Sequence, residues 1–116
     1  MKVPRLTMTL TLETQLREPD RMGGYRMVWR DEGRLGAEMR SGAGGERFAE
    51  VGMESVVSWR ISVRSAPSGD PRRPRPGQRF RMGEGRRARR FRIEAVSESD
   101  PAGRWLICVA KEEMQA

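Results

Sequence analysis

The chain has 116 residues, and 23 Lys+Arg against 16 Asp+Glu leave a formal charge of +7. It contains no histidine, which excludes a Ser-His or Cys-His dyad, a histidine general base and a histidine metal ligand. A lone cysteine, Cys108, excludes an intrachain disulfide and a CxxC zinc or redox site.

This length reads as one domain over residues 1–116. With 36% hydrophobic residues the core is thin. A domain of this size hides roughly 65% of the surface its unfolded chain exposes. The longest apolar run, Leu106 to Ala110, falls far short of the ~20 residues a membrane span needs, so no membrane partner is expected. Met1 to Arg5 lead into alternating threonines and apolar residues rather than a continuous apolar leader. The expectation is a protein made in the cytosol, with Cys108 a reduced core thiol.

Period-two alternation dominates the chain. Leu6, Met8, Leu10 and Leu12 oppose Thr7, Thr9, Thr11 and Glu13, which predicts a strand with one wet face. Pro19-Asp20 and Gly23-Gly24 then turn the chain. Weaker alternation follows in Tyr25, Met27 and Trp29, and again in Leu35, Ala37 and Met39. Asp31-Glu32-Gly33 between them is a turn or a bulge. Ser41-Gly42-Ala43-Gly44-Gly45 reads as flexible and leads into a short helix over Glu46 to Met53. Val57, Trp59, Ile61 and Val63 alternate with Ser58, Arg60, Ser62 and Arg64 in another strand.

A Pro/Arg loop over 66–78 has few side chains able to pack, and is expected to stand off the sheet. Gly83-Glu84-Gly85 separates Phe80–Met82 from an Arg-rich strand containing Phe91, Ile93 and Ala95. Ser99 to Gly103 turn into Leu106–Val109, whose apolar run suits a strand covered on both sides. The class is all-β: a small barrel or sandwich of antiparallel strands with one short inserted helix.

No cofactor, metal site or catalytic residue is read from the sequence. Glu46, Glu50 and Glu54 share one helical side, a wet face rather than a metal or acid/base cluster. There is no phosphate-binding or nucleophile motif. Met8, Met27, Met39 and Met82 fall at apolar strand positions and read as core filling. Trp29, Trp59 and Trp105 read as core, with barrel-end plug or interface anchor as the other roles for Trp29 and Trp105.

Arginine clusters stand at Arg72, Arg73 and Arg75, at Arg86 to Arg92, and on wet strand faces at Arg26, Arg30, Arg60 and Arg64. They suit a solvated or interfacial surface first, and loose contact with a nucleic-acid backbone second. No helix is long enough for a major groove and no aromatic platform stands ready for bases.

In order and spacing these features resemble the phage head–tail adaptor and head-closure (stopper) proteins, over about Leu6 to Glu112. The residues concerned are Gly23-Gly24 with Trp29, then Leu35-Gly36-Ala37, then Ser41-Gly42 with Glu46 and Ala49. They continue with Ile61-Ser62-Val63-Arg64, Gln78–Met82, Phe91–Val96 and Trp105–Lys111. Departures are Asp20-Arg21-Met22 before the glycine pair, the extra Gly44 and Gly45, and a longer, more basic Pro/Arg loop.

The resemblance implies a non-enzymatic ring, hexameric or dodecameric, in a virion or phage-like particle assembled in the bacterial cytoplasm. The β-barrel form favours the stopper position, between a portal-side adaptor and a tail terminator or tail protein. Double-stranded DNA would pass through without base readout. Residues 41–55 would then project toward the channel, with Gly42, Gly44 and Gly45 as hinge and Arg40 and Arg47 near DNA. Arg72, Arg73 and Arg75, with Trp29 and Trp105, would meet neighbouring subunits or rings. A stand-alone single-stranded nucleic-acid-binding barrel is the alternative from another class.

Overall fold

The computed structural model describes residues 3–41 and 57–114. The expected helix over Glu46 to Met53 lies outside the described residues, as do Gly42, Gly44, Gly45 and Arg47. The alternating N-terminal segment becomes β1, Met8–Pro19, with Leu10 and Leu12 fully buried. A turn over 20–24 reverses the chain into β2, Tyr25–Ser41. Asp20 Oδ1 holds that turn by accepting the N–H groups of Met22 at 2.8 Å and Gly24 at 2.9 Å. A Cβ at Gly24 would lie 3.0 Å from Asp20 Oδ2, so a side chain there would press on the carboxylate that holds the turn. Next come β3, Ser58–Arg64, and β4, Arg79–Met82. A 3-10 turn at Gly85–Arg87 precedes β5, Arg89–Glu98, and the last strand is β6, Trp105–Glu112.

The strands close into a barrel in the order β1-β2-β3-β6-β5-β4, every neighbouring pair antiparallel. Of the two all-β architectures expected, the barrel is the one formed, since β1 bonds to both β2 and β4. Leu10, Leu12, Ile61, Val63, Phe80, Phe91, Ile93 and Leu106 fill its interior. Trp59 meets Phe91 edge-on, with ring centroids 5.8 Å apart. Cys108 is a free, fully buried thiol among them, and burial pushes its pKa up to about 12.

Asp31-Glu32-Gly33 forms a bulge within one long strand. Leu12 pairs with Gly33 and Glu13 with Asp31, so Glu32 is the extra residue. Gly33 takes φ 137°, a backbone region closed to most side chains.

Strand lengths explain where the sequence reading needs correcting. β1 meets β4 only through Thr11–Glu13, and β2 meets β3 only through Glu38–Ser41. Residues 14–19 and 25–30 therefore pair with each other alone, as a two-stranded ribbon. Among the described residues no further strand covers its outer face, and Tyr25 and Met27 are 62% and 51% exposed rather than core. Trp29, at the foot of the ribbon, is half-buried under arginines rather than packed in the core. Val57 lies before β3 and is exposed. Over 106–110, β6 is buried on one side only: Leu106, Cys108 and Ala110 point inward, while Ile107 and Val109 stay half-exposed.

The Pro/Arg loop does not stand clear of the barrel. Pro74 is fully buried, and Gly77 N–H bonds to the Ile93 carbonyl at 2.9 Å. Gln78, also buried, accepts the Arg75 N–H and donates to Thr14 Oγ1.

Replacing Phe91 by Ala should lower stability by about 3–5 kcal/mol, because the barrel interior cannot collapse onto the void. Tyr25→Ala on the uncovered ribbon should change it by no more than about 0.5 kcal/mol. Urea denaturation of both variants checks the contrast.

Candidate interaction surface

The outer face of the barrel is organised by its arginines. Glu13 points outward from β1, yet it is only 4% exposed, because two guanidinium groups lie over it. Arg79 Nε and Arg81 Nη1, both on β4, donate to its two carboxylate oxygens. Arg81 extends the cluster to Asp31 at 2.9 Å and to Glu84 at 3.1 Å. Arg79 reaches Glu113 at 3.2 Å, and Arg92 of β5 reaches the same carboxylate at 3.4 Å. Trp29 lies against this layer, with the Arg79 guanidinium 3.9 Å and that of Arg92 5.3 Å from its ring centre.

Other acidic residues are occupied in the same way. Glu112 accepts from Arg89 at 2.7 and 2.9 Å and from the Trp59 indole at 3.3 Å. Asp100 Oδ1 accepts the backbone N–H groups of Arg104 and Trp105. Its Oδ2 takes Arg104 Nε at 3.2 Å. Arg26 pairs with Glu18 and Arg30 with Glu32.

These contacts shift the titrations. The Arg81 guanidinium holds Asp31 below the usual carboxylate range and is itself raised. Arg72, through side chain and backbone, brings Asp70 down to about 2. Burial lifts Asp100, but hydrogen bonds from Trp105 and Arg104 outweigh it and leave its pKa low. Arg89 lowers Glu112.

What remains is a set of arginines without a carboxylate among the described residues. Arg17 stacks on Tyr25 at 4.2 Å, and Arg64 on Trp105 at 5.2 Å. Arg34, Arg60, Arg86 and Arg87 make no ion pair there either.

The residues singled out from the sequence fall in several places. Arg40 is exposed and bound to Glu38 at 3.3 Å, beside a cleft lined by Pro4, Arg60 and Ile107. Arg72 is tied to Asp70, and Arg75 is exposed. Arg73 and Trp105 are brought together at one end of the barrel, around a cavity of about 670 Å³. Trp29 is elsewhere, in the arginine layer. Arg64, Arg104 and Glu98 join the cavity without having been picked out as its members. The sequence signal for Arg64 was its wet-face position on a strand. No spacing pattern says that residues 64, 73, 98 and 104 converge. Among the described residues there is no acidic or cysteine cluster able to hold a metal, and no helix long and apolar enough to cross a membrane.

Glu13→Ala should cost about 3 kcal/mol, the low end for a broken buried pair, because Arg79 keeps Glu113 and Arg81 keeps Asp31 and Glu84. A triple variant that also replaces Arg79 and Arg81 by Met should recover part of that loss, as thermal melts of the series would show. For Glu112, whose folded pKa is depressed, the contribution is full above the ordinary glutamate range and disappears as pH falls through the folded value. Glu112→Gln should therefore flatten the stability curve between pH ~5 and ~3, measured by denaturant titration at each pH.

A family described as phage head completion protein matches residues 1–113. A chain in the solved virion of a native gene transfer agent particle is similar, at 45% identity and a TM-score of 0.73. That match covers 98% of this chain and all of the other. A protein from Shigella flexneri 2a, solved in solution, shares the fold at 20% identity with a TM-score of 0.69 and full coverage of both chains. A comparison with curated proteins found no match.

Proposed function

The chain belongs to the phage head completion protein family, and we propose on that premise that it is a structural virion protein of the head-to-tail connector. In this reading it forms a ring that acts as a stopper between the portal-side adaptor and the tail, and lines the DNA channel. The observation that carries the reading furthest is the division of charge. Almost every described carboxylate is already bound within its own chain, whereas Arg34, Arg60, Arg86 and Arg87 have no carboxylate among the described residues. In this reading they meet anions from outside the chain, and DNA phosphates and neighbouring virion proteins are the anions a connector meets.

Contacts between copies would then rest on apolar surface, for which the ribbon offers Met22, Tyr25 and Met27. Arg73, Arg75 and Trp105 are assigned to the neighbouring ring. Hexameric closure is the expected symmetry, with a dodecamer as the larger option. The single-stranded nucleic-acid reading gains nothing from the barrel. Its tryptophans are buried, half-buried or covered by arginine, and none forms an open stacking platform.

The protein mixed with its portal-side adaptor should assemble into closed rings visible by electron microscopy. Met27→Asp should shift the assembly toward single subunits. Isolated copies bound to the adaptor, without contact to one another, would overturn the ring.

A further inference from the structure

The cavity beside Trp105 lies at the barrel end that the stopper reading turns toward a neighbouring ring, a contact whose chemistry that reading leaves unnamed. Arg64, Arg73 and Arg104 line it together with Ser65, Pro67 and Glu98. A second cavity of about 320 Å³ continues from it, sharing Arg64 and the stretch Ser65–Pro67 and adding Leu6, Arg34 and Leu35. Arg34 and Arg64 have no carboxylate among the described residues. Arg73 uses one nitrogen on the Ala66 carbonyl at 2.8 Å and keeps its other donors. Arg104 is held in place by Asp100. Trp105 is more than nine-tenths buried, and its Nε1–H has no acceptor among the described residues.

We propose that this joined groove binds an extended acidic peptide segment of a neighbouring virion protein. The inference rests on the reading that another ring stacks on this end of the barrel, and it names the chemistry of that contact. Two features select a peptide over a duplex. The groove is an open depression of side-chain dimensions, along which an extended chain can lie residue by residue. Its lining also alternates in character, with guanidinium groups beside the apolar surfaces of Trp105, Pro67, Leu6 and Leu35. That pattern suits carboxylates alternating with aliphatic side chains. Glu98 adds a gate of like charge, which favours a segment whose carboxylates sit at Arg64 and Arg34 rather than beside Gly103.

The test uses the full chain labelled with ¹⁵N and a short synthetic peptide of alternating glutamate and leucine. The expected result is saturable shifts of the Ser65–Ser68 amides and of the Trp105 indole N–H. Arg64→Glu should weaken binding about tenfold or more. Arg86→Glu, an equal charge change outside the groove, should leave it within about twofold. Arg73→Gln provides a second, milder probe of the groove, with a smaller loss in the same direction. The glutamine counterpart of the peptide should not bind. Absence of saturable shifts, equal weakening by Arg64→Glu and Arg86→Glu, or tighter binding of a short DNA duplex at the same amides would each overturn the proposal. The measurement needs no ring. A chain that binds the peptide yet sits as isolated copies on the adaptor would refute only the ring, and rings whose grooves ignore the peptide would refute only this inference.

Discussion

The barrel closes on a seam of three residue pairs between β1 and β4, and Glu13 stands in that seam opposite Arg79. A carboxylate so deeply covered is tolerable only when its charge is matched and its oxygens are bonded. Arg79 and Arg81 do both, and both lie on the short strand that has to be held against β1. The same two side chains then reach Asp31 on β2 and Glu113 beyond β6. One buried charge thus joins the seam to both chain neighbours of the barrel wall. On the inner side of the same seam Leu12 faces Phe80 in the core, so the ion pairs clamp from outside what the core holds from inside, and the closed sheet has no edge there.

Charge is distributed in two populations. One consists of ion pairs between strands and within turns, and it consumes nearly all the acidic side chains described. The other consists of guanidinium groups that only stack on aromatic rings or face solvent. A net excess of positive charge can mean a basic surface or a neutral framework with a basic remainder. This protein is the second kind. Its structural arginines, at 79, 81, 89 and 92, and those with no carboxylate among the described residues, at 34, 60, 64, 86 and 87, are interleaved in sequence.

That interleaving marks the limit of what could be read without coordinates. Strand alternation, the glycine turns and the bulge at Asp31–Gly33 were legible because each is a local steric or periodic effect. Family resemblance was legible from the order of such features. The roles of individual arginines were not, because an ion pair such as Arg79–Glu13 joins residues far apart in the chain. Trp29 and Met27 were misread for a related reason. Alternation shows that two side chains share a face, but only the lengths of the neighbouring strands decide whether anything covers it. Pro74 was misread because proline's exclusion from a ladder says nothing about burial of its ring in a loop.

Cys108 has a practical meaning that its place in the core does not suggest at first sight. Its thiol is sealed inside the barrel and held in the protonated form, which neither attacks disulfides nor oxidises readily. A protein that moves from a reducing cell interior to an oxidising exterior can therefore carry it through unchanged. Because it is the sole cysteine of the chain, it is also a built-in reporter. A thiol reagent added to intact particles would label only those copies whose barrel had opened, and the rate of labelling would time that opening.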